Sequence, residues 1–301
     1  MWVGLKRGFS DGHTIYRNET LPADTSFDDF GVGQSKGSAA ALHMHRMHHP
    51  LKGDISMAQL EEYAFPSFDP AIIDTLKLEA DRLHAKGLAF VGSMTCTLWE
   101  TSWYLRSMED LMTDMMMEDE KAVFLFDRVA ELACKRAAAA AQAGADIIFL
   151  GDDIGTQRGA MLSVDMWETW IKHRFKKIID AARAVNPSIL IWYHSCGNVM
   201  DFLEGFVDAG VDILNPIQQE CMDFNEVYDR VGDRLAFWGT IGTQQVLPFG
   251  KPEDVRRDVL SRLEKCGKKG GIVMGPTHLV EPEVPWENLL ALRDAAAEFK
   301  G

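Results

Sequence analysis

The sequence predicts an α/β protein of parallel βα units, closed into an eight-stranded (β/α)8 barrel in preference to an open doubly wound sheet. Three observations predict it. From residue 69 onward, helical stretches alternate with short apolar or β-branched runs, each followed by a Gly- or Asp-containing turn. Such alternation joins parallel strands through helices. No G-x-G-x-x-G turn follows an early strand, which removes the support for a dinucleotide-binding sheet. Finally, polar residues follow every apolar run, as at a barrel mouth, where the residues that do chemistry collect.

In order, a helix over 70–86 leads to a strand at 88–93, then two long helical segments at 97–117 and 119–143 precede a strand at 145–150. A helix over 163–185 opens on Ser163 as N-cap and stops at Asn186-Pro187. Strands at 189–194, 211–215, 235–239 and 271–275 alternate with helices near 199–209, 223–231, 252–266 and 286–299. Six parallel strands are thus expected, and the two that complete a barrel must come from residues 1–68, which read as turns and irregular chain, or be missing. No linker breaks the chain, so 1–301 is expected to be one barrel domain. The acidic, Met-rich MEDLMTDMMMEDE at 108–120 reads as a helix with adaptable Met packing and a solvated acidic face, or as a lid.

A net charge of −14 argues against nucleic acid or an anionic membrane as partner. Five cysteines with no C-x-x-C pair fit a reducing compartment, and the N-terminus lacks the apolar run of a signal peptide, so a cytoplasmic location is expected.

The strand ends carry the candidate site. His194 and Cys196, two apart on an extended strand end, point the same way and can meet one ion. A third donor would complete a catalytic zinc site; His278 is the best placed, with Cys96, Cys221, Asp153 and Glu220 in reserve. Asp152 and Asp153 are acid–base candidates, one expected to face the cavity and the other to cap the following turn. Thr95, Asn215, Gln218 and Gln244 stand where a substrate would be lined. The Gly239–Gln244 loop reads either as an anion cradle or as a plain turn. HMHRMHH at 43–49 has no cysteine or spaced acid beside it and reads as incidental surface histidines.

Four segments, GDDIGTQRGAMLS (151–163), YHSCGNVMDFLEGFVDAGVDILNPIQ (193–218), DRLAFWGTIGTQQVLPFG (233–250) and GGIVMGPTHLVEPEVPWENLLAL (270–292), together resemble the uroporphyrinogen decarboxylase superfamily. More narrowly they resemble its corrinoid-linked zinc methyltransferase branch, in consistent order over about residues 50–300. The resemblance implies a (β/α)8 barrel, zinc held by the H-x-C pair His194 and Cys196, and a third ligand on the last strand's turn. In the family that position is a cysteine; here it is His278, giving a less negative donor set. The family's decarboxylases use an arginine-rich R-Q-A-G-R segment and an F-S-D aspartate; the first is not visible, and Phe9-Ser10-Asp11 has no arginine motif before it. The front is also short for the family, so the first barrel strand is expected to be absent or replaced. The implied function is zinc-dependent methyl transfer between a corrinoid protein and a thiol or an O- or N-methyl compound. The alternatives are a decarboxylase of tetrapyrrole synthesis and a non-catalytic barrel that binds a corrinoid protein.

Overall fold

The computed structural model describes residues 4–16, 19–37 and 45–300. The chain divides into two compact units interleaved in sequence. The first takes the chain up to Ile148 together with His173–Ile189, and the second takes Phe149–Lys172 and Leu190 onward.

In the first unit, β1 (Leu5–Lys6), β2 (Ser26–Phe27), β3 (Gly33–Lys36), β4 (His45–His48) and β5 (Ser67–Phe68) form two small antiparallel sheets, β1 with β5 and β2-β3-β4. The turn from β2 to β3 is made by Asp28, whose Oδ1 accepts the N–H of Phe30 and of Val32, both at 2.9 Å. These strands therefore pair with each other, and none of the described residues before 69 supplies a further parallel strand. Helices α1 (Met57–Glu61) and α2 (Ile72–His84) lead to β6 (Val91–Met94). Just before β6, the Phe90 carbonyl accepts the N–H of Asp146 at 2.9 Å, and the Asp146 carboxylate accepts the N–H of Phe90 at 2.7 Å.

The segment expected as one helix over 97–117 is two, α3 (Trp99–Arg106) and α4 (Met108–Met116). The break is at Ser107, at φ 75°, whose hydroxyl caps α4 by accepting the N–H of Asp110. Buried Arg106 holds the corner, donating to the carbonyls of Leu51 and Gly53 and to the Asp114 carboxylate. In α4, Leu111 and Met115 are buried while Met116, and Met117 just past its end, stand exposed. The Ala-rich α5 (Glu120–Gln142) is capped by Asp119, and α6 (His173–Val185) ends ahead of Asn186-Pro187 as expected. The hydroxyl of Ser163 does cap a helical start, at Val164, and a π-helical turn occupies Trp167–Lys172.

The second unit is built on the end of β7 (Ile147–Gly151), from Phe149 on, with β8 (Leu190–His194), β9 (Ile213–Asn215), β10 (Ala236–Trp238) and β11 (Ile272–Val273), ordered β11-β10-β9-β8-β7. With β6, the six parallel strands read from the sequence are all present. Register sets the two faces. Tyr193, Leu214, Phe237 and Ile272 fall in one row. Tyr193 and Phe237 pack against Phe206 of α7 (Leu203–Ala209) and against Phe224 and Tyr228 of α8 (Phe224–Val231), at ring separations of 4.9, 5.7 and 6.1 Å. The next row, on the opposite face, holds His194, Asn215, Trp238 and Val273. A second core, including Ile241, Leu247, Val255, Val259 and Leu263, lies under α9 (Pro252–Cys266) and α10 (Trp286–Glu298). No helix among the described residues is long and apolar enough to cross a membrane.

Candidate metal centre

The end of β8 delivers two donors. Side chains alternate along an extended chain, so His194 and Cys196 project to one side, and Cys196 Sγ lies 3.4 Å from His194 Nε2. His278, five residues past the end of the short β11, joins them. One ligand atom from each of the three lies within 4.8 Å of the other two, the cluster of this kind found among the described residues. Zinc takes imidazole nitrogen at about 2.0–2.1 Å and thiolate sulfur at about 2.3 Å, which places two tetrahedral donors about 3.5 Å apart. The pair from β8 has that spacing, and two nitrogens and a sulfur are a zinc donor set, so the residues fit the ion.

The imidazole of His194 is held from behind. Its Nδ1 lies 2.6 Å from Asn215 Oδ1, and the Asn215 amide NH2 donates to the Trp238 carbonyl at 2.6 Å. With the NH2 so engaged, the amide oxygen must face the ring, so Nδ1 carries the proton and Nε2 presents its lone pair toward Cys196. Asn215 thus fixes a tautomer; the sequence reading had it lining a cavity.

The neighbouring carboxylates part company. Asp153, half-exposed, accepts the Cys196 N–H on Oδ1 at 2.7 Å, and the same oxygen is 3.6 Å from His194 Nε2. It ties the ligand loop down beside the imidazole. Asp152 is 1% exposed, its backbone N–H donating to the His194 carbonyl and its carbonyl accepting from Tyr193 OH. Gln218, also buried, accepts the Gly197 N–H on Oε1 at 2.9 Å, so it shapes the loop after Cys196. Gly197 itself sits at φ 82° with its α-carbon against the Gly155 backbone; a Cβ there would stand 2.5 Å from the Gly155 carbonyl carbon.

The remaining candidates have partners and surroundings of their own. Gln244 is exposed, and its N–H donates to Glu220 Oε1 at 3.2 Å. The Gly239–Gln244 loop is a plain turn: the N–H groups of Thr240 and Ile241 go to the Gly275 carbonyl and that of Thr243 to Thr277 Oγ1, which leaves no anion cradle of the kind considered. Cys221 meets Gln157, and burial, aided by Glu220, pushes its thiol up, as suits an inert thiol better than a ligand. Thr95 and Cys96 belong to the first unit, where Thr95 is exposed. So do the histidines of 45–49, while His43 and Met44 lie outside the described residues. Two of them are not incidental surface groups, since His48 is buried against the Ser35 hydroxyl and His49 Nδ1 meets the Tyr104 carbonyl at 2.8 Å, whereas His45 is exposed.

Sequence reasoning treated Trp192 and Trp238 as strand interior. Period two from His194 does put Trp192 on the site's face. The two indoles stack at 3.9 Å and 5°, and Phe149 meets Trp192 at 4.5 Å and lies 6.0 Å from the His194 ring.

A methylcobamide:CoM methyltransferase, MtaA, of Methanosarcina barkeri is 25% identical over 231 residues, covering 76% of this chain and 64% of the relative. A uroporphyrinogen decarboxylase of Methylococcus capsulatus is 34% identical over 98 residues, or 33% of this chain and 27% of its own length. That of Thermus thermophilus is 22% identical over 286 residues, 93% of this chain and 77% of its own. The chain therefore spans less than two thirds of the first two. Among solved structures, a methyltransferase from Methanosarcina mazei matches with a TM-score of 0.68 at 22% identity, over 89% of this chain and 76% of that one, a likeness of fold. The family model described as uroporphyrinogen decarboxylase matches residues 45–299, most of the chain, and the chain belongs to that family.

Proposed function

We propose that the protein is a zinc-dependent methyltransferase that moves a methyl group between a corrinoid carried by a partner protein and a thiol or an O- or N-methyl compound. The observation that carries this reading is the convergence of His194, Cys196 and His278 within 4.8 Å, with the first ring already locked in the ligating tautomer. Likeness to a methylcobamide:CoM methyltransferase supports it.

Zinc, when bound, supplies Lewis acidity that lowers the pKa of a thiol or polarises the heteroatom bearing the methyl group. His194 Nε2, Cys196 Sγ and a His278 ring nitrogen would hold it, and the small molecule would be activated beside them. Asn215 keeps the Nδ1 proton away from the ion. Asp153 restrains the ligand loop through the Cys196 N–H and, half-exposed beside Nε2, takes or returns the proton of the heteroatom. Asp152, next along the chain, is the second acid–base candidate. Gln218, Gln244 and Thr95 are assigned to the substrate path. The reading takes 1–301 as one barrel domain at work in the cytoplasm, with no nucleic acid or membrane as partner.

Elemental analysis beside a methylcobalamin-to-thiol transfer assay tests it. The expected result is about one zinc per chain, with zinc and turnover lost together in Cys196→Ala. Full zinc in a folded Cys196→Ala protein overturns the ligand assignment. Decarboxylation of a tetrapyrrole that survives chelation favours the decarboxylase alternative, and corrinoid-protein binding with neither zinc nor turnover favours the non-catalytic one; either overturns the proposal.

A further inference from the structure

The histidine-rich strand of the first unit borders a cavity of its own. The strand β4 is an edge of the sheet β2-β3-β4, and together with the chain at 19–22 it lines a space of about 420 Å3. Three charged side chains stand in the wall, Glu19, Arg46 and Lys52. Lys52 Nζ already holds a carboxylate, that of Glu19, at 3.0 Å. Arg46 is exposed, and its guanidinium has neither an ion pair nor a hydrogen bond among the described residues. The two imidazoles of the wall are anchored. His48 Nε2 lies 3.0 Å from Ser35 Oγ, and His49 donates from Nδ1 to the Tyr104 carbonyl, which can only accept. Burial pushes the His48 imidazole down; Arg46 adds to this, Glu19 opposes it, and Lys52 and His49 add again, so the charged groups of the wall all act on one ring. Leu21, Pro22 and Met47 supply an apolar part of the same wall.

We propose that this cavity is a binding site for a small organic monocarboxylate, its charged end on the Arg46 guanidinium with Lys52 beside it and its apolar body against Leu21, Pro22 and Met47. The site belongs to the first unit and needs nothing from the methyltransferase reading. Charge selects the ligand. With the imidazoles counted as neutral, Arg46 and Lys52 against Glu19 leave one positive charge, in a chain whose net charge is −14. One carboxylate balances that charge, whereas the dianion of a phosphate monoester overshoots it. A guanidinium also presents a planar fork of N–H donors that matches the two oxygens of a carboxylate. The Glu19 carboxylate on Lys52 shows the same chemistry already at work within the wall.

Calorimetric titration of the full chain with benzoate tests this, against benzamide, which keeps the shape without the charge, and acetate, which keeps the charge without the ring. Benzoate is expected to bind about tenfold more tightly than either, and Arg46→Gln to weaken it about tenfold. Arg46 is exposed, so the variant is expected to fold. Glu19→Gln frees Lys52 for the ligand and should instead tighten benzoate by about two- to fivefold. Equal affinity for benzoate and benzamide, unchanged benzoate affinity in Arg46→Gln, no tightening in Glu19→Gln, or tighter binding of phenyl phosphate than of benzoate each overturns the proposal. Zinc also takes carboxylates, so Cys196→Ala is titrated in parallel. Benzoate affinity kept in Cys196→Ala and lost in Arg46→Gln supports the cavity, whatever the zinc content. Affinity lost in Cys196→Ala and kept in Arg46→Gln puts the ligand at the metal centre and overturns it.

Discussion

Two tight turns, one in each unit, use the same parts to different ends. Between β2 and β3, Asp28 accepts two backbone N–H groups and Gly31 turns the chain at φ 83°. After β8, Asp153 accepts the Cys196 N–H and Gly197 turns the chain at φ 82°. In the first turn the carboxylate is closed in, and burial pushes its pKa up to about 6 against the pull of its N–H partners. In the second the carboxylate stays half-exposed, and the side chains around it, an imidazole and a thiol, meet each other and a second imidazole. A turn whose carboxylate serves only the backbone is architecture; one that also holds soft donors in register is a site.

The largest effect expected to test this contrast comes from the two glycines. Gly197→Ala forces a strained φ and drives its Cβ onto Gly155 backbone, which cannot yield; it should cost roughly 3 kcal/mol or more and abolish zinc uptake. Gly31→Ala meets Ile15 and Tyr63 side-chain atoms at 2.5 and 2.6 Å and should lower the melting temperature while zinc content stays at the wild-type value. Zinc loss in a folded Gly31→Ala chain would erase the distinction between the turns.

Asp28→Asn comes next. Its carboxyl is raised in the folded state, so its favourable contribution is full below the unfolded value near 4 and is lost as pH climbs through about 6. Asn keeps the acceptor oxygen without the charge. Urea melts should find the variant more stable than wild type by up to about 3 kcal/mol at pH 7.5, with the gap narrowing toward pH 5. A gap independent of pH would count against a buried charge in this turn.

Asn215→Ala should act on the other turn alone, weakening zinc by about 10–100-fold in chelator competition while the fold persists. An unchanged zinc affinity would mean that the imidazole needs no support from behind.

The convergence of His194, Cys196 and His278 was legible because its signals are local: two positions of a strand, and a histidine at the next strand mouth but two. Much of the rest depended on partners far along the chain. Asn215 reads as one more polar mouth residue until Trp238 supplies the carbonyl that orients it. Trp192 and Trp238 look like ordinary strand interior, since period two separates the faces of a strand without saying which face helices cover. The antiparallel sheets near the front rest on strands of two to four residues, too short for periodicity, and Ser107 breaks a helix whose apolar pattern runs on through it.

Position 215 has narrow room to vary. One planar group must accept from an imidazole on one side and donate to a main-chain oxygen on the other, at the reach of a single methylene. Aspartate lacks the donor, leucine lacks both, and glutamine overshoots by a carbon. Homologues that replace this residue should therefore be found to have remodelled the end of β10 as well, or to have given up the histidine.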